Sequence, residues 1–201
     1  MTGQINDKFI YKDEEYNISG VSIGYLFRPA DFNLRPFSTM TACWNGYQVF
    51  YNIVDNHLVV ETMLINLYDE EKIINGKKPI KLGRPNFNEL GLEANHNFFK
   101  LLYKDLNLKI PFSGGLLITK DFIEERYVHM GFQNPMSYKT VYEMTFENGE
   151  LVKFTDISEV MEQKRTEDVD DGDSPISGKK DDISKWVDEK FSLDYDLEND
   201  D

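Results

Sequence analysis

The sequence has one cysteine, Cys43, and three histidines, His57, His96 and His129. A lone cysteine excludes an intramolecular disulfide and any zinc site built on paired thiolates. No two histidines stand at metal-ligand spacing, so neither metal nor cofactor is expected. No apolar run approaches the ~20 residues of a membrane-spanning helix. The opening residues, MTGQINDKFIY, lack the apolar core of a signal peptide. Basic residues are also scarce, 22 against 36 acidic ones, for a formal net charge of −14. That balance opposes sequence-independent nucleic-acid binding and anionic membrane surfaces alike. The expectation is a cytoplasmic protein without nucleic-acid or membrane partners, whose acidity keeps it soluble and suits a basic protein partner.

What the chain does contain is aromatic and β-favouring residues, with fourteen Phe and eleven Tyr against seven Met. The strongest pattern lies in residues 41–67. Tyr47, Val49, Tyr51 and Ile53 alternate, and Leu58, Val60 and Leu64 continue the same phase after a turn. A two-residue turn at Asp55-Asn56 sets Ile53 opposite Leu58, Tyr51 opposite Val60 and Tyr47 opposite Leu64. A second hairpin is read over residues 9–18, with its turn at Lys12-Asp13-Glu14. Residues 19–40 read as an irregular connection with a short strand at 21–27. Ile73-Ile74 and Ile80-Lys81-Leu82 suggest a small hairpin about Asn75-Gly76.

Phe98, Phe99, Leu101, Leu102 and Leu106 form a broad apolar side, which predicts a packed helix over 95–106 capped by Asn95. Residues 112–118 read as a strand, with a bulge or close approach at Gly114-Gly115. In the last hairpin, residues 140–157, a two-residue loop would set Met144 opposite Lys153. A three-residue loop pairs Tyr142 with Phe154 and Met144 with Val152, so the longer loop is expected. Ser158 opens a short helix, and residues 168–182 are polar and Pro/Gly-punctuated, as in disordered linkers. Beyond them Ile183, Trp186, Val187 and Phe191 share a helical face, capped by Asp181 or Asp182.

The expected fold class is therefore α+β: an antiparallel sheet of successive hairpins with one packed helix, plus an acidic C-terminal extension ending in a short amphipathic helix. The expected divisions are an α+β domain over 1–160, an acidic flexible linker over 161–182, and the helix with its acidic tail over 183–201.

No catalytic set emerges. Cys43 reads as a buried structural thiol. His57 and His96 read as solvated, in a turn and at a helix start. His129 stands among aromatic residues, and on a strand Tyr127, His129 and Gly131 would share a face. It reads first as a partly buried histidine satisfied by a backbone or carboxylate partner, and second as a ligand-binding or acid/base group. Trp44 and Tyr47 flank Gly46; core packing is the first reading of both, and an aromatic recognition edge the second. Ligand or partner contacts are thus expected at Trp44, Tyr47, Tyr127, His129 and Trp186.

Four segments together resemble a family of uncharacterised bacterial proteins without an established activity. They are DKFIYKDEEYNI, STMTACWNGYQVFYNIVDNHLVVETMLIN, FSGGLLI, and YVHMGF with its following hairpin FENGELVKF. Thr41, Ala42, Trp44, Gly46 and Tyr47 match the T-A-x-W-x-G-Y pattern, while Asn45 stands where the family carries arginine. The resemblance implies a shared cytoplasmic fold and an association with immunity or interaction proteins. The leading expectation is a protein-binding module of the immunity type that masks a basic partner. The alternative is a small-molecule binder or enzyme with a pocket near Trp44 and His129.

Overall fold

The computed structural model describes residues 2–68, 71–83, 89–90, 92, 96–167 and 179–196. It is α+β, a mostly antiparallel sheet with two helices. The strands are β1 (Lys8–Tyr11), β2 (Glu14–Val21), β3 (Tyr47–Val54), β4 (His57–Ile65), β5 (Ile80–Lys81), β6 (Leu101–Tyr103), β7 (Leu108–Lys109), β8 (Gly114–Phe122), β9 (Tyr138–Glu147) and β10 (Glu150–Asp156). The helices are α1 (Ser158–Glu167) and α2 (Lys180–Lys190).

Three two-residue turns set the hairpins. Lys12-Asp13, Asp55-Asn56 and Asn148-Gly149 all have positive φ at both positions. That geometry matches the twist of paired strands and favours Asn, Asp and Gly. Around Asp55-Asn56, Ile53 pairs with Leu58 and Tyr51 with Val60, as expected. Past Tyr51 the register shifts, because Glu61 is an extra residue on β4. Tyr47 therefore faces Ile65, not Leu64. Met63 and Ile65 join the main core, while Leu64 turns to a second cluster with Cys43, Phe99 and Leu102.

The sheet order runs β10-β9-β8-β2-β1-β3-β4, and β10 then meets β4 again through Glu150 and His57. Leu58 N–H donates to Gly149 O at 2.8 Å, and Leu151 N–H to Asn56 O at 3.0 Å. The hydrogen-bonded path thus returns on itself as a barrel, with β7 and β6 lying along the rest of β4. A ring this small has an interior that side chains can fill. Phe9, Ile18, Val49, Tyr51, Val60, Ile118, Met144 and Phe146 are among those that fill it.

Several expectations are corrected. Pairing is not confined to successive hairpins, since β1 lies parallel to β3. No helix spans 95–106: Leu101–Tyr103 is a strand, buried throughout and paired with Met63, Leu64 and Ile65. A fully buried strand is apolar on both faces, so its sequence imitates a broad helical stripe. Asn95 lies outside the described residues. The β9–β10 loop has two residues, not three. An extra residue at Val152 restores the phase, so Phe154 faces Met144 and Lys153 faces Thr145. Residues 22–27 bend away without forming a strand. The Asn75-Gly76 turn closes on Ile74 and Lys77, and Ile80–Lys81 pairs with β6 instead.

Ser158 begins α1, with its N–H held by Asp156 Oδ1 at 3.0 Å. In α2, Asp181 and Asp182 sit in the first turn, where negative charge suits the helix dipole, and Lys179 is the cap. The linker expected over 168–182 lies outside the described residues for 168–178.

Barrel closure makes a specific demand at Gly149. Its φ is +85°, and a Cβ there would lie 2.3 Å from Ile110 O. Gly149→Ala is expected to destabilise the fold by about 2–4 kcal/mol, combining left-handed strain with a backbone clash. Gly76, with φ +76° and nothing within 4 Å of the added carbon, should cost about 1–2 kcal/mol on the same change. Urea unfolding of both variants checks the ranking, and equal losses would contradict the closure argument.

Candidate functional site

The residues between Thr41 and Tyr47 turn the chain into β3 by two close reversals. Cys43 N–H donates to Met40 O at 3.2 Å, and Gly46 N–H to Cys43 O at 3.1 Å. Gly46 has φ +73°, and a Cβ there would lie 2.3 Å from Phe37 O. Only glycine fits so close to another backbone in that conformation. Gln4 holds the loop from the other side: its Nε2 donates to Thr41 O at 2.9 Å, and its Oε1 accepts Trp44 N–H at 3.2 Å. The loop thereby buries Cys43 and leaves Trp44 about half exposed at 52 %.

Behind Trp44 lies a cavity of about 510 Å³, within the size range of small-molecule sites. The residues preceding β1, the end of β2 with the bend that follows it, and the loop leading into β3 form its walls. Trp44, Tyr47, Tyr51, Tyr25, Phe132 and Phe191 give it an aromatic lining. Phe191 stacks on Trp44 with centroids 4.7 Å apart.

With Asp194, Asp7 is one of two carboxyl groups in this wall. Its Oδ1 accepts Val49 N–H at 2.8 Å. The residue keeps partial accessibility beside the cavity, yet its carboxyl is deeply surrounded by protein. Loss of solvation pushes it up to about 7, opposed only by the Val49 hydrogen bond. Burial likewise raises the Tyr47 and Tyr51 hydroxyls well above their usual range, with the Asp7 charge adding to the effect. Burial pushes Cys43 up to about 11, against partial relief from backbone hydrogen bonds. Its Sγ donates to Tyr47 O at 3.3 Å. A thiol held neutral and committed to a backbone carbonyl is a weak nucleophile.

The C-terminal segment completes the wall. Val21 N–H donates to Leu193 O, and Phe132 N–H to Lys190 O, both at 2.7 Å. Gly131 permits the second contact, because a Cβ there would fall 1.8 Å from Lys190 O. Gly131 O also accepts Gln4 N–H at 2.7 Å. Residues 192–194 separate the aromatic cavity from another of about 410 Å³, which α1 and Tyr195 border.

Of the expected site residues, the structure brings Trp44 and Tyr47 to one cavity. Tyr127 and His129 are exposed and are not among its lining; their rings meet edge to face at 4.9 Å. Residues 127–130 form no strand, so the shared face expected for Tyr127, His129 and Gly131 is absent. Gly131 instead takes a left-handed φ of +72°. Trp186 is half-buried on α2, with Lys190 Nζ 6.0 Å from its ring centroid. His96 is buried edge-on to Phe50, correcting its solvated reading. His57 Nε2 lies 3.4 Å from Glu150 Oε1 beside the barrel closure. Asp7, Tyr51 and Phe132 line the cavity but are not among the expected site residues, Tyr51 being read only as part of a strand face. An acid just ahead of an alternating strand was the only signal for Asp7, and 36 acidic residues dilute it.

No family model, curated protein or solved structure matches the chain. Among the described residues, no three His, Cys, Asp or Glu side chains converge as a metal site, and no helix is long and apolar enough to cross a membrane.

The Asp7 environment predicts a pH signature. An unfolded aspartate titrates near ~3.9, so the folded state holds its proton more tightly and loses stability as pH rises from there to about 7. Asp7→Asn retains an oxygen for the Val49 N–H. It should be about 1–3 kcal/mol more stable than the native protein at pH 8, with the advantage gone at pH 4. Paired thermal melts across that range check the difference, and a constant difference would contradict it.

Proposed function

We propose that the protein binds a small organic molecule in the cavity behind Trp44. The observation that carries this reading is an aromatic-lined space of about 510 Å³ that the barrel core leaves unfilled. A filled interior would serve stability alone, whereas a concave, mostly apolar space with a few polar groups suits a ligand. The rim supports the same reading, with Tyr25 63 % exposed and Trp44 52 % exposed. These rings offer rigid contact area at little conformational cost.

The acidic surface favours a second reading, a cytoplasmic protein-binding module of the immunity type that masks a basic partner. Its support is the excess of 36 acidic over 22 basic residues. Such a charge steers a basic protein toward the surface and makes the encounter salt-dependent.

A thermal-shift screen of small molecules followed by titration tests the first reading. A ligand of this cavity should bind Trp44→Ala at least about tenfold more weakly. Because Trp44 is half exposed, melting should change by only a few degrees. Unchanged affinity in Trp44→Ala would place the ligand elsewhere. For the second reading, immobilised protein should capture a basic protein at low salt and release it at high salt. Capture insensitive to salt would remove the electrostatic argument.

A further inference from the structure

Resting on the ligand-binding reading, we propose that the ligand is an organic cation: an amine on an apolar or aromatic body, with its charged nitrogen placed at Asp7. Among the described residues the lining contains two carboxyl groups, Asp7 and Asp194, and no lysine, arginine or histidine. The Asp7 carboxyl receives one hydrogen bond, at Oδ1, and its other oxygen has none among the described residues. An ionised carboxylate in such surroundings is costly unless a positive charge or further donors reach it. Among the described residues no cation lines the cavity, so a protonated amine would complete the site.

The remaining walls suit the rest of such a ligand. Trp44, Tyr47, Tyr51, Tyr25 and Phe191 present ring surfaces, and aromatic faces attract cations as well as apolar bodies. An anionic ligand would meet Asp7 and Asp194 together, and the protein's net charge of −14 would repel it on approach. A neutral ligand gains the apolar contacts alone. The charged site thus selects among molecules of similar shape.

Selection by Asp7 also carries a pH dependence. The groups facing it are Cys43, Tyr47 and Tyr51 from the loop and β3, with Asp194 lining the same cavity from the C-terminal segment. Burial holds the Cys43 thiol up at about 11 and both tyrosine hydroxyls well above their ordinary range. These three groups therefore stay neutral while Asp7 ionises near pH 7. A cation needs the ionised form, so its affinity should fall as pH drops below that point.

Calorimetric titration of the full chain with three probes tests the assignment: phenethylamine, its neutral isostere 2-phenylethanol, and the anion phenylacetate. At pH 8 and low salt, phenethylamine should bind at least about tenfold tighter than the alcohol, and phenylacetate should not bind. Lowering the pH to 6 should weaken phenethylamine roughly tenfold and leave the alcohol unchanged. In Asp7→Asn the amine's advantage should disappear while alcohol binding persists. Equal binding of amine and alcohol to the native protein would overturn the cation assignment and leave the cavity reading intact. Failure of all three probes to bind would overturn both. The native-protein comparison decides the matter even if Asp7→Asn does not fold.

Discussion

Leu58 gives its N–H to Gly149 and Leu151 gives its own to Asn56, so two tight turns distant in sequence lie side by side. This contact converts an open sheet into a ring. Without it β10 would be an unpaired edge along its whole length, not only beyond the Glu150–His57 contact, and unpaired edges invite pairing with other chains. With it, inward-facing side chains share one interior of fixed width. Phe9, Tyr51, Val60, Met144 and Phe146 come from four strands yet share one buried cluster there. Tyr11 on β1 can stack on Phe154 of β10 at 5.1 Å, although those strands are not neighbours in the sheet order. The aromatic cavity is where this packing stops, and the C-terminal segment with Phe191 borders it.

Local periodicity made the hairpins legible, because alternation and left-handed turn residues are encoded within a few positions. Asp55-Asn56 and the pairs around it follow directly from that code. The bulges at Glu61 and Val152 do not, since an extra residue changes phase without leaving a compositional mark. Leu101–Tyr103 shows a different limit. Three consecutive buried residues satisfy both a helical stripe and a two-sided strand, and only the edge of β4 decides between them. The parallel contact of β1 with β3 and the return of β10 to β4 are likewise properties of the whole ring.

The candidate site was legible through its aromatic residues and obscure in its charge. Trp44 and Tyr47 stand out because large rings flank a glycine that the backbone approach at Phe37 requires. Asp7 looks like any other acid until the barrel surrounds it. Its altered proton affinity arises from burial, with no cation lining the cavity among the described residues, and a linear sequence records neither. His129 illustrates the converse. Its aromatic neighbours suggest a shared strand face, but the chain turns at Gly131 to meet Lys190 and leaves the imidazole exposed.

The ring also orders events in time. β2 must wait for β8, about a hundred residues further along the chain, before its second side is paired. At ribosomal speeds that interval is roughly 5–20 s, long compared with the microseconds a hairpin needs. During it the β1–β2 and β3–β4 hairpins can form, but they carry open edges and apolar faces that only later strands cover. Lys8, Lys12 and Glu14 at the first hairpin are charges of the kind that discourage edge-to-edge association. Synthesis and assembly of this barrel are therefore separated by a window in which other proteins, or other copies of the same chain, can engage its first half.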